Sequence, residues 1–307
     1  MGLKKNLGYE SSNAAKADFD AIYKSPTPVA YFAEMGRLGY EIGQQALPYF
    51  SATARLLQEQ LGPEVPVRAL DLGCSYGVGA ALLNHDVSFS ELAQFYSDLD
   101  TPRYDECVEL TRQWLADRRS PEYVGSLGLD ASAEAVRFAE DAGLIDCGIA
   151  RNLEHDPTLS PEEIRAIRRC NLLTSTGAIG YVGDKTLSAL LAQLGGDLRH
   201  DSGPYAVVTI LRLFDPAPVA ATMRRFGYHF APLSDVRLRQ RRFESDEEQT
   251  RTLELLEQRG IDPEGWESEG FLYADLFAAA PPDDFPVLAR RLQETRAEAG
   301  RVVPLAP

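Results

Sequence analysis

Residues 67–83, Val-Arg-Ala-Leu-Asp-Leu-Gly-Cys-Ser-Tyr-Gly-Val-Gly-Ala-Ala-Leu-Leu, decide how the rest of the chain is read. Val67 to Leu70 read as a short buried strand with Asp71 at its C-terminal end. Gly73, Gly77 and Gly79 permit a tight turn and a close approach to the backbone. A helix starts at Ala80. Strand, glycine turn and helix start is how an open α/β sheet builds a ligand site at its strand ends.

Residue type separates the ligands that use such a turn. A dinucleotide fingerprint wants Gly-x-Gly-x-x-Gly, and the one frame here, Gly77-Val-Gly79-Ala-Ala-Leu82, ends in Leu. The Gly-Lys-Ser/Thr of a phosphate loop is absent as well. What remains is an acid followed by a glycine loop, Asp71-Leu-Gly73-Cys-Ser-Tyr-Gly77. A carboxylate there would repel a pyrophosphate and attract an ammonium or sulfonium group. On these residues the chain resembles the class I S-adenosylmethionine-dependent methyltransferases, whose first motif is Asp/Glu-x-Gly-x-Gly-x-Gly. Ser75 stands where that motif has its middle glycine, and Ser fits only where φ is negative or mild strain is tolerated. The resemblance implies S-adenosylmethionine as cofactor, with Asp71, Gly73, Ser75 and Gly77 around it. The plainer alternative is a structural turn without a ligand.

The chain has 307 residues, 44% of them hydrophobic, enough for one large domain with additions. A net charge of −15 argues against a nucleic-acid partner, which needs clustered Lys and Arg. No stretch approaches the eighteen or so apolar residues of a membrane span, and the first residues lack the apolar core of a signal peptide. Cys74, Cys107, Cys147 and Cys170 are scattered, as in reduced cytosolic proteins, so a cytoplasmic location is expected. No His or carboxylate spacing suggests a metal.

Helices are expected over residues 14–23, from Pro28 onward, and from Pro48 to Gly62. Tyr31, Phe32, Met35, Leu38 and Ile42 form an apolar stripe at helical spacing. It reads either as a cap on the sheet edge or as a lid from which Tyr31, Arg37 or Tyr40 reaches a ligand. Residues 85–121 read as an insertion of two amphipathic helices, the first opened by a Ser88–Glu91 capping box. The insertion either shapes an acceptor pocket or makes a homodimer contact. The second strand, 123–129, ends at Asp130-Ala131. A carboxylate just past such a strand can accept both hydroxyls of a ribose. Asp130 also matches the family's second motif, although it comes 130 − 71 = 59 residues after Asp71 because of the insertion. After a third strand, 144–150, the resemblance places Asn152 and Leu153 against the adenine. Residues 160–169 form a capped helix.

The fourth strand, 171–175, runs into Thr174-Ser-Thr-Gly-Ala-Ile-Gly-Tyr-Val-Gly183, whose hydroxyls and glycines suit a ligand-lining loop. The resemblance puts Thr174 and Ser175 beside the cofactor and Tyr181 beside the methyl acceptor. A helix over 185–194, a strand over 205–213 and a helix over 217–226 follow. Strand-like segments span 228–243, where Arg237, Arg239, Arg241 and Arg242 mark either a solvated face or an acidic partner. A helix with a Ser245–Glu248 capping box, a last strand over 271–277 and a helix over 285–299 close the chain.

The fold class expected is α/β: a mostly parallel, seven-stranded Rossmann-like methyltransferase sheet with helices on both faces, an N-terminal helical cap and a helical insertion. The divisions are a cap or lid over 1–64, a methyltransferase domain over 65–280, and a C-terminal helix and tail over 281–307. The function implied is methyl transfer to oxygen or carbon of a small organic molecule in secondary metabolism. Tyr181 and His155 are the candidate catalytic residues, and Tyr31, Tyr40 and Tyr181 the candidate substrate contacts. The alternatives are a non-catalytic S-adenosylmethionine-binding or scaffold protein and, from the glycine loop alone, an NAD-dependent oxidoreductase.

Overall fold

Arg68 to Leu72 form β1 (Arg68–Leu72), whose Ala69, Leu70, Asp71 and Leu72 are all buried, as an interior parallel strand requires. In the computed structural model, which describes residues 19–100, 102–197 and 203–302, this strand belongs to a seven-stranded sheet ordered β3-β2-β1-β4-β5-β7-β6. The others are β2 (Gly125–Asp130), β3 (Cys147–Ala150), β4 (Leu172–Ser175), β5 (Tyr205–Leu211), β6 (His229–Arg242) and β7 (Phe271–Ala280). β3, β2, β1, β4 and β5 are parallel, and β7 runs antiparallel to both β5 and β6. From β1 the chain winds outward to β2 and β3, then returns to β4 on the other side. The C-terminal ends of β1 and β4 therefore part at a topological switch point, where open α/β sheets leave a crevice.

Helices α1 (Asp20–Tyr23), α2 (Val29–Arg37) and α3 (Ile42–Leu61) precede β1. α4 (Val78–Asn84) follows the glycine loop, and the insertion supplies α5 (Phe89–Ser97) and α6 (Tyr104–Ala116). Then come α7 (Ala133–Asp141), α8 (Pro161–Arg168), α9 (Asp184–Leu191), α10 (Ala217–Arg225), α11 (Asp246–Gln258) and α12 (Phe285–Val302). The first half of the helix expected over 14–23, residues 14–18, lies outside the described residues.

The apolar side chains divide into two clusters. One joins the sheet to α3, α9 and α12. The other gathers α2, α4, α5, α6 and α7 around Tyr76, Tyr96 and Phe138, with Phe32 stacked on Tyr96 at 4.6 Å between ring centroids. The insertion thus buries its apolar faces within the chain, against the helix that carries the Tyr31 stripe.

Four local readings are corrected. The helix from Pro28 stops at Arg37: Gly39 takes φ +62 and Tyr40 N–H returns to the Met35 carbonyl, so Ile42 opens a new helix. Pro48 therefore lies inside α3 rather than at its start. Leu144 and Ile145 are buried but belong to the turn after α7, their amides bonded to the Ala139 carbonyl, so β3 begins at Cys147. Ser245 caps α11 by accepting from Glu248 N–H, while the Glu248 carboxylate turns to Arg241 instead of closing a capping box.

Candidate active site

A cavity of about 870 Å³ opens at the C-terminal ends of β1, β2 and β4, beneath the segment that carries α1 and α2. The glycine loop forms one wall. Gly73 and Cys74 N–H both donate to the Leu129 carbonyl at the end of β2, at 2.8 and 3.2 Å. Gly73 has φ +78, and a Cβ there would stand 2.4 Å from that of Ala178. Ser75 takes φ +50, so the mild strain anticipated for a non-glycine residue is present. Its N–H donates to Asp130 Oδ2 at 2.9 Å, and Ser132 N–H donates to Oδ1 at 2.9 Å. Burial raises the Asp130 carboxyl above its ordinary range, and the amides of Ser132, Ser75 and Ala131 pull it back. Ser75 Oγ is buried without a hydrogen-bond partner.

Gly73, Ser75, Asp130, Ala131, Asn152, Leu153, Tyr31, Tyr40 and Tyr181 line the cavity. Asp71, Gly77, Thr174, Ser175 and His155 do not. Asp71 is buried behind the loop against the first turn of α4, where a Cβ on Gly79 would meet its Oδ2 at 2.6 Å. Burial pushes its carboxyl up to about 6, with the Thr174 hydroxyl, 3.2 Å away, acting in the opposite sense. Ser175 Oγ donates to the Leu72 carbonyl at 2.8 Å. These hydroxyls tie β4 to β1, and the next residue, Thr176, reaches the wall in their place. Gly77 shapes the start of α4 at φ +78. His155 is exposed beyond the wall and is not placed to act as a base there. Arg37 is exposed as well and pairs with Glu34.

Asn152 Oδ1 accepts from His155 N–H at 3.1 Å, and Leu153 is buried beneath it. Glu154 Oε1 accepts from Gly183 N–H at 2.7 Å and Thr186 N–H at 3.0 Å, so it fixes the start of α9 and the loop carrying Tyr181. Tyr181 is 52% exposed at the cavity's edge.

The far wall was not visible in the alternation of the sequence. Tyr23, Gln240 and Arg241 line the cavity. Val236, Leu238 and Gln240 face inward in turn, and Arg241 should then face out. A bulge intervenes: Arg239 pairs with Tyr273 and Arg241 with Leu272, so Gln240 is the extra residue, and both it and Arg241 are buried. Arg241 donates to both Glu248 oxygens, at 2.8 and 2.6 Å. Arg237 pairs with Asp275 and Arg239 with Glu41. Three of the four arginines on this strand are therefore matched by acids within the chain, which removes the reason to expect an acidic partner.

The lid is latched. Tyr76 Oη shares its proton between the Ile22 and Ser25 carbonyls, at 2.8 and 2.7 Å, and Ser132 Oγ donates to the Tyr23 carbonyl. Burial raises the Tyr23, Tyr31 and Tyr40 phenols, Tyr40 to about 12 while it is bonded to Thr176.

The sheet order, the antiparallel β7 and the crevice at the strand ends bear out the mostly parallel, seven-stranded α/β sheet expected from the sequence. No family model and no curated protein matches the chain. Among solved structures, the chain is similar to magnesium protoporphyrin IX methyltransferase (ChlM) from Synechocystis PCC 6803 with bound SAH, at 11% identity over 90% of this chain and 94% of that one, with a TM-score of 0.38. It is similar to the plantazolicin methyltransferase BpumL in complex with SAH, at 12% identity over 90% and 95%, TM-score 0.41. It is also similar to the [4+2]-cyclase SpnF, at 13% identity over 75% and 81%, TM-score 0.33.

Proposed function

We propose that the protein is an S-adenosylmethionine-dependent methyltransferase that methylates oxygen or carbon of a small organic molecule, in secondary metabolism. The observation that carries this reading is Asp130, a carboxylate at the end of β2, on the cavity wall, held by the amides of the glycine loop and of its own turn. A carboxylate offers about four acceptor positions, so it keeps acceptor capacity for a ligand hydroxyl such as that of a ribose beyond the amides that hold it.

The other residues fit the same group. Gly73, at positive φ and without a Cβ, leaves backbone open to a close approach. Ser75 Oγ lacks a partner that a ligand would supply. Leu153 offers an apolar surface and Asn152 an amide to a purine ring. S-adenosylmethionine supplies a methyl group already activated on a sulfonium sulfur. The chain has to hold the two reactants together and keep water out, which alone removes much of a barrier. Residues 19–40 cover the cavity, and Thr176, Gly177 and Tyr181 bound the side left for an acceptor, where Tyr181 orients it.

The test is calorimetric titration of S-adenosylhomocysteine and of NAD into wild type and Asp130→Ala. Saturable binding of S-adenosylhomocysteine alone, weakened by the substitution, is expected. NAD binding, or binding of neither, would overturn the assignment. A scaffold that binds the cofactor without chemistry would bind S-adenosylhomocysteine equally well and leave a panel of acceptors unmethylated.

A further inference from the structure

Gln240 is buried to 6% exposure on the cavity wall, and its Oε1 has no hydrogen-bond partner. A buried acceptor left unpaired forfeits the hydrogen bond it would make in water, so a ligand donor that restores the bond is favoured. Gln240 faces inward in step with Val236 and Leu238, and the bulge brings Arg241 in beside it. The bulge is anchored on both sides, by Glu41 N–H donating to the Gln240 carbonyl at 2.8 Å and by Arg239 N–H donating to Gln45 Oε1 at 2.8 Å. Gly177 makes room for the amide, since a Cβ there would lie 2.6 Å from Gln240 Nε2.

The neighbouring groups define what would satisfy it. Tyr23 and Tyr31 stand with ring centroids 5.6 Å apart, and Tyr40 reaches the same region through Thr176. These are broad, flat surfaces whose phenols keep their protons. The nearby guanidinium of Arg241 has no charge to spare, being spent on both oxygens of Glu248 and on the Arg242 carbonyl. Arg241, the cation next to Gln240 in the chain, therefore offers an anion no uncompensated charge.

We propose that Gln240 selects the methyl acceptor: the end of the cavity bounded by Gln240, Tyr23, Tyr31 and Tyr40 takes an uncharged, flat molecule that presents a hydrogen-bond donor to Gln240 Oε1. The terminal torsion of a glutamine is broad, so the oxygen can meet such a donor with little cost. The word acceptor rests on the methyltransferase reading, whereas the preference for a neutral donor rests on the wall alone.

Three probes of one shape separate the possibilities: 2-naphthol, 2-methoxynaphthalene, which lacks the donor, and 2-naphthoate, which is charged. Each is titrated into wild type and Gln240→Leu, with and without saturating S-adenosylhomocysteine. In wild type, 2-naphthol should bind about ten-fold tighter than either of the others, the worth of one recovered hydrogen bond. Gln240→Leu should bring 2-naphthol down to the level of 2-methoxynaphthalene while S-adenosylhomocysteine binding stays as in wild type. Equal wild-type affinities for 2-naphthol and 2-methoxynaphthalene, tightest binding of 2-naphthoate, binding of no probe, or a preference that survives Gln240→Leu would each overturn the proposal. The wild-type comparison stands even if the variant does not fold. Failure of S-adenosylhomocysteine to bind strikes the methyltransferase reading and leaves the probe preference as a separate result.

Discussion

The amide of Ser75 donates to Asp130 Oδ2 at 2.9 Å, across 55 residues of chain that include the whole helical insertion. The bond locks the glycine loop of β1 to the end of β2 and fixes the orientation of a carboxylate on the cavity wall. Asp130→Asn keeps the shape but turns an NH₂ toward either Ser75 N–H or Ser132 N–H, leaving two donors face to face. Stability should fall by about 1–3 kcal/mol in urea denaturation, and S-adenosylhomocysteine affinity by about ten-fold or more in calorimetry. Unchanged affinity in a folded variant would remove Asp130 from the ligand site.

Asp71 gives a pH signature. Its carboxyl is raised from 3.8 to about 6 by burial. The folded protein thus keeps a proton that the unfolded chain has already lost between roughly pH 4 and 6, so stability is fullest below that window and falls as pH rises through it. Asp71→Asn removes this titration. The gap between variant and wild type should open across the window and approach about 3 kcal/mol above it. Parallel unfolding profiles for the two proteins from pH 4 to 7 would show that Asp71 does not carry the effect.

The sheet was legible in the sequence because its strands are short apolar runs separated by capped helices, with Ser88 and Ser160 marking helix starts that the structure keeps. The glycine loop and the acid after the second strand were legible because tight turns and strand-end carboxylates have local signatures. The far wall was not. Period-two alternation predicts Arg241 on the outer face, and one extra residue in β6 reverses that expectation without leaving a mark in composition. The internal bonds of Thr174 and Ser175 to Asp71 and Leu72 were hidden for a related reason: in a row of hydroxyls, register against β1 decides which ones are consumed internally.

Tyr76→Phe tests the latch over the cavity. The Tyr76 ring should stay in place among Tyr31 and Phe138, at centroid distances of 5.4 and 6.1 Å, while the Ile22 and Ser25 carbonyls lose their donor. Hydrogen exchange over residues 19–28 should speed up by about ten-fold, the equivalent of one hydrogen bond, with β1 and β4 unaffected. Equal acceleration throughout the chain would mean that Tyr76 supports the fold as a whole and does not hold the lid specifically.

Glu248 lies on α11, and its carboxylate holds Arg241 bidentately with both side chains 3% exposed. Removing one partner of such a pair leaves a buried charge unmatched, which typically costs about 3–5 kcal/mol. Glu248→Gln should therefore destabilise the protein strongly, and Arg241→Met combined with Glu248→Leu should recover most of that loss, because the desolvation cost disappears with the charges. The single variant should also change what the cavity accepts. With Arg241 no longer neutralised, 2-naphthoate should gain affinity relative to 2-naphthol, and the double variant should lose that gain. If Glu248→Gln weakens stability but leaves the ratio of the two probes where wild type has it, Arg241 does not govern the charge that the cavity presents, and the neutrality of this wall must come from elsewhere.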